Sequence, residues 1–175
     1  MIKKLRGQVW IETVIYTLIG LALIALVLSY AMPKINELKD NALVEQSINA
    51  MNGLNDKIIE VRNNPGSRKV VDFTLKSGEM NINPINNSIS LNIGGINSAY
   101  SEPGVEISVG KVKVLTENNQ KNYDVIIKLV YPSINITYSG QEEDKKFDAS
   151  SNPYKLTLTN KGVRNKQFNI DINQV

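Results

Sequence analysis

The sequence predicts an α+β protein in which a long N-terminal transmembrane helix precedes an all-β sandwich domain. Three observations predict it. Residues 13 to 32 carry no charge. Helical composition then continues to Arg62, where Asn63-Asn64-Pro65-Gly66 breaks it. Beyond that break the apolar residues alternate instead of recurring every three or four positions.

The uncharged run TVIYTLIGLALIALVLSYAM spans Thr13 to Met32. Twenty helical residues rise about 30 Å, the thickness of bilayer hydrocarbon. A secretory signal peptide has a shorter apolar core and a small-x-small cleavage site, and Ser29-Tyr30-Ala31 matches that site poorly. Lys3, Lys4 and Arg6 precede the run, whereas Lys34, Glu37, Lys39 and Asp40 balance one another after it. That asymmetry predicts a cytoplasmic N-terminus and a C-terminal domain outside the cell. The small residues Ala22, Ala25 and Ser29 share one side of the span, where neighbouring helices can approach closely.

Between Lys34 and Arg62 the residues Leu, Ile, Glu, Lys, Asn and Ala favour helix, so the element is predicted over 8–62 with a kink near Pro33. Its outer half has two apolar stripes. Ile35, Leu38 and Ala42 share one face, while Val44, Ile48, Met51, Leu54, Ile58 and Val61 lie on a broadly opposite one. The longer stripe is expected to pack on the chain's own β-domain and the shorter on another helix.

The β-domain is predicted over 67–175. Val71, Phe73 and Leu75 alternate before Ser77-Gly78; Ile89, Leu91 and Ile93 before Gly94-Gly95; Val105, Ile107 and Val109 before Gly110. Val112 and Val114 lead to Tyr123–Tyr131, whose apolar residues on both faces predict a central strand. Ile134, Ile136 and Tyr138 form another candidate. Leu156 and Leu158, a turn at Asn160-Lys161-Gly162, then Phe168, Ile170 and Ile172 read as a closing hairpin. Short strands at this spacing predict immunoglobulin-like layering. The longest loop is expected from Gln141 through Asp148 to Pro153. Its acids invite a calcium reading, but Lys145 and Lys146 sit among them and favour a solvated loop.

Composition narrows the chemistry. The chain has no Cys and no His, which removes Ser-His-Asp and Cys-His nucleophiles and His- or Cys-ligated zinc. No catalytic residue, cofactor or metal site is expected. The formal charge of +3 comes from the N-terminal end: without Lys3, Lys4 and Arg6, 17 basic residues face 17 acidic ones. No basic stripe interleaved with aromatics follows, so nucleic acid is not an expected partner. Asn86-Asn87-Ser88 and Asn135-Ile136-Thr137 are candidate N-glycosylation sites on an exported surface. Tyr100, Tyr131, Tyr138 and Tyr154 read as packing residues rather than a carbohydrate platform.

At the membrane edge, Lys3-Lys4-Leu5-Arg6-Gly7 is followed by Gln8-Val9-Trp10-Ile11-Glu12. An acidic residue just inside an apolar helix is costly, about 3 kcal/mol on insertion scales, and is normally paired or near water. Taken alone, Glu12 reads as an interfacial residue beside the anchor Trp10. Basic residues, a glycine and then a glutamate five positions later nevertheless resemble the type IV pilin precursors, above all the archaeal ones with class III signal peptides. The resemblance covers residues 3 to about 62. It implies that residues 1–7 are a leader, cut between Gly7 and Gln8 by a membrane prepilin peptidase on the cytoplasmic side. Glu12 becomes the fifth mature residue and pairs with the new N-terminal ammonium of a neighbouring subunit. Bacterial pilins usually begin with a methylated aromatic residue; Gln8 follows the archaeal pattern instead.

The family implies partners as well: the membrane, the peptidase, the type IV pilus assembly machinery, and sister copies in a helical homo-oligomeric filament. The rival expectations are a single-pass surface binding module that retains residues 1–7, and a minor pilin that recognises a ligand.

Overall fold

A computed structural model describes residues 5–164 and 166–175, with side chains from residue 10 onward. The chain falls into two units, one ending at Lys39 and the other running Asp40–Val175. Helix α1 comprises Leu5–Asn63 and continues through Pro33.

Within the first unit no residue from Trp10 to Lys39 is buried. Its side chains are those of a helix without a partner of its own: Trp10, Tyr16, Leu26 and Tyr30 are each more than 60% exposed. Polar groups in the span are handled locally. Thr17 Oγ1 donates to Thr13 O and Ser29 Oγ to Leu26 O, each at 2.8 Å, so neither hydroxyl needs water. The helix is long and apolar enough to cross a membrane.

In the second unit, Val44, Ile48, Met51, Leu54, Ile58 and Val61 are at most 2% exposed and join the β-domain core. The longer stripe therefore packs where the sequence predicts. Ile35 and Leu38 of the other stripe stay exposed.

Ten strands follow among the described residues: β1 Arg68–Phe73, β2 Glu79–Asn83, β3 Ser88–Ile96, β4 Glu106–Val109, β5 Val112–Asn119, β6 Asn122–Val130, β7 Ile134–Tyr138, β8 Lys145–Asp148, β9 Tyr154–Arg164 and β10 Gln167–Gln174. They form a four-stranded sheet, β1-β9-β10-β7, and a six-stranded sheet, β4-β5-β6-β3-β2-β8. β7 runs parallel to β10, and the other paired strands are antiparallel. β6 is central, as its two-sided apolar pattern predicts. Alternation does the packing: Ile89, Leu91 and Ile93 of β3, Val125, Ile127 and Leu129 of β6, Leu156 and Leu158 of β9, and Ile170 and Ile172 of β10 enter one core with the helix. Each such side chain contributes about 1.5–3 kcal/mol by leaving water.

Two local expectations are corrected, and one strand is unanticipated. Residues 145–148, expected within a loop, form edge strand β8 on β2. A four-residue strand with two lysines and only Phe147 buried leaves little alternation to detect. Strand β2 escaped for the same reason, since EMNIN offers just Met80 and Ile82 between asparagines, residues that strands disfavour. The Asn160-Lys161-Gly162 turn is a β-bulge inside β9 instead. Phe168 pairs with Val163 and Ile170 with Asn160, so one extra residue sits on β9. Gly162 takes φ +88, and its N–H donates to Asn160 Oδ1 at 2.8 Å. Turn chemistry is used here to kink a strand, and the reversal lies further on, between the paired Arg164 and Gln167.

Polar clips join helix and sheets inside this unit. Asp40 accepts from the N–H and amide of Asn97. Asn52 donates to Val109 O and accepts from Lys111 N–H. Asn160, 3% exposed, donates its amide hydrogens to Val61 O and Arg62 O at 2.9 and 3.0 Å, with Asn64 O at 3.4 Å. Val61 O and Arg62 O lie in the last turn of α1, where carbonyls lack intrahelical partners. An Asn160→Leu chain, which takes one of several donors from Val61 O and leaves Arg62 O and the Gly162 N–H without theirs, is expected to lose about 2 kcal/mol of stability. A drop in urea midpoint at unchanged slope is the measurement that checks it.

The tyrosines pack as expected: Tyr138 and Tyr154 meet Phe147 edge-on at 6.0 and 5.1 Å. Tyr131 is 5% exposed, and burial with Asp56 nearby pushes its hydroxyl pKa up.

Candidate functional site

Two regions carry the candidate residues. In α1, the backbone at Arg6, Gly7 and Gln8 is helical, while their side chains, and Lys3 and Lys4 altogether, lie outside the described residues. Glu12 is exposed and is the one charged residue from Trp10 to Pro33. Among the described residues it makes no ion pair. Trp10, two positions earlier, is 73% exposed. The geometry is thus a single carboxyl side chain on an otherwise uncharged rod, two residues from an indole. Such a carboxylate in hydrocarbon attracts a cation or remains at the water boundary.

The β-domain separates the two candidate sequons. Asn86 is exposed in the turn joining β2 and β3, where its N–H donates to Asn83 Oδ1. Asn135 is half-buried within β7 and donates Nδ2 to Asn169 Oδ1 at 3.0 Å, while its sequon partner Thr137 donates Oγ1 to Asp171 Oδ1 at 2.8 Å. Only Asn86 presents a free amide in a turn.

Asn135 instead belongs to a recess of about 290 Å3 on the solvent face of the four-stranded sheet. Parallel register creates its floor, placing Asn135 beside Asn169 and Thr137 beside Asp171. The chain after β7, at Gly140 and Glu142, forms one wall, and the bulged end of β9, with Lys161 and Arg164, forms the other. Asp171 is 4% exposed but well supplied: Thr137 Oγ1, Gly140 N–H and Asn173 Nδ2 donate to it at 2.8, 2.7 and 2.9 Å. Sequence reasoning missed this cluster because its parts lie in three separate stretches. Its sole trace is polar alternation opposite buried isoleucines in β7 and β10. Other recesses, of about 460, 310 and 330 Å3, share Thr74 beside α1 and bring together fewer charged groups.

No family model matches the chain, and neither a curated protein nor a solved structure is similar to it. Among the described residues, no three acidic side chains gather to hold a metal ion; Asp144 of the acidic stretch is engaged by the amides of Asn81 and Asn83.

Proposed function

We propose that this chain is the precursor of a structural subunit of an archaeal type IV pilus-like filament. In this reading a prepilin peptidase cuts between Gly7 and Gln8, and the apolar helices of many copies bundle in the filament core. The β-domains, immunoglobulin-like in layering, face outward. The N-terminus starts in the cytoplasm and the β-domain outside, as the leader charge dictates. Filament growth is head-to-tail, with heterologous contacts that do not close.

One observation carries the proposal: a single carboxylate, Glu12, on an exposed apolar helix, five residues beyond Gly7 of the Gly7-Gln8 junction. Cleavage at that junction creates an ammonium, and an ammonium meeting a carboxylate away from water is far more stable than either charge alone. Processing thereby licenses assembly. The exposed stripe of Ile35 and Leu38 supplies further apolar surface for neighbouring helices. No catalytic role is assigned to any residue.

Co-expression with a prepilin peptidase, followed by mass determination of the N-terminus, tests the cleavage. The wild type is expected to begin at Gln8. A Gly7→Val precursor stays uncut, whereas Glu12→Ala is cut but polymerises poorly. Chains from native cells that still begin with Met1 and sit singly in the bilayer would overturn the reading. They would favour the second one, a membrane-anchored binding module that retains residues 1–7, which the polar recess on the β-domain supports; a minor pilin would instead be cut and recognise a ligand.

A further inference from the structure

We infer that the recess on the four-stranded sheet is a binding site for a single sugar unit of a polysaccharide, with a hexuronate preferred over a neutral hexose. The inference concerns the β-domain and stands whether or not the chain polymerises.

Size and lining set the ligand class. A volume of about 290 Å3 holds roughly ten waters at about 30 Å3 each, which suits one ring and not a folded partner. No apolar side chain lines it. Ligand sites for apolar molecules are lined mainly by hydrophobic and aromatic groups, so this recess selects a ligand whose surface is mostly hydroxyl. A sugar ring both donates and accepts at each hydroxyl, and here both kinds of partner converge.

The floor and the rim differ in what remains to be satisfied. Asp171 spends its oxygens on three donors, and Asn169 spends its amide on Gly162 O, Gln167 O and the contact with Asn135. These groups fix the shape. Around them, Asn135 Oδ1 accepts no hydrogen bond among the described residues, and Lys161, Arg164 and Glu142 make neither hydrogen bonds nor ion pairs there. The ligand-facing set is therefore two cations, one carboxylate and one amide oxygen, on a rigid hydrogen-bonded base. A carboxylated ring is favoured at the rim, where Lys161 and Arg164 stand exposed, because Arg forks onto a carboxylate while Glu142 and Asn135 take hydroxyls; the second acid of the recess, Asp171, is buried below with its oxygens taken by three donors. The β9 bulge is what brings Lys161 and Arg164 to the rim, a usual role for a bulge beside a site.

The test is calorimetric titration of the full chain in detergent micelles with oligogalacturonate, a neutral malto-oligosaccharide and polyphosphate. Lys161→Ala with Arg164→Ala removes the rim charge, and because both side chains are exposed the urea midpoint should not move. The expected result is oligogalacturonate binding that the double substitution weakens at least tenfold, with weaker binding of the neutral oligomer. An Asn135→Ala chain should lose affinity for both saccharides together. Absence of saccharide binding overturns the inference, as does binding indifferent to these substitutions. Polyphosphate bound as tightly as oligogalacturonate also overturns it, since attraction to any polyanion is then sufficient.

Discussion

A Gly78→Ala chain is expected to lose about 4 kcal/mol of β-domain stability, a large effect for removing nothing and adding one methyl group. Gly78 lies just before β2 at φ +84. A Cβ there meets Asn92 O at 2.1 Å, Asn92 C at 2.9 Å and Ile93 Cα at 3.2 Å. These are backbone atoms of β3 and cannot swing aside as a side-chain tip does. Left-handed strain contributes about 1–2 kcal/mol, and relieving the clash forces apart the Glu79–Asn92 end of the β2–β3 ladder. Because β2 also holds edge strand β8, the damage reaches Phe147. Urea unfolding in detergent shows it as a lowered midpoint. Gly53→Ala is the internal control: that glycine is helical, a Cβ there meets nothing within 4 Å, and stability is expected to rise by up to about 1 kcal/mol.

Ile58→Ala and Leu38→Ala form a second contrast. Ile58 is 0% exposed in the shared core, and its truncation should cost about 2–5 kcal/mol through lost burial and the cavity left behind. Leu38 is 60% exposed, and its truncation should leave the stability of the isolated chain within about 0.5 kcal/mol. On the filament reading the same Leu38→Ala change lowers polymer yield. Equal destabilisation by the two substitutions would show that the two stripes of α1 do not divide their work.

The legible parts of this fold are those where one physical signal dominates. An unbroken apolar run, and six residues spaced to share a helix face, announce α1 and its buried side. Strands β3 and β10 are equally plain, for alternation survives wherever a strand is long and one face is buried, and β6 is plain from its apolar residues on both faces. The edge strand β8 and its neighbour β2 are different. β2 and β8 touch the core through Met80, Ile82 and Phe147, too few positions for a period to emerge. Gly162 misled because a left-handed glycine serves a bulge as readily as a turn. For the candidate sites, the leader and Glu12 are local in sequence and so visible there. The recess depends on parallel β7–β10 register, a tertiary fact that residues 135 and 169 do not individually disclose.

The position of β1 has a kinetic consequence. Its only neighbour is β9, and Phe73 pairs with Tyr154, partners roughly eighty residues apart, a separation that makes such contacts slow to form. During synthesis the helix and the early strands emerge well before the hairpin that closes their sheet. Until then the core face of α1 from Val44 to Val61 lacks β9 and β10 among its neighbours, and β1 offers an open backbone edge. A newly made chain therefore passes through a sticky interval, and on the membrane-anchored reading a bilayer that holds its helix keeps young molecules apart while the last two strands arrive.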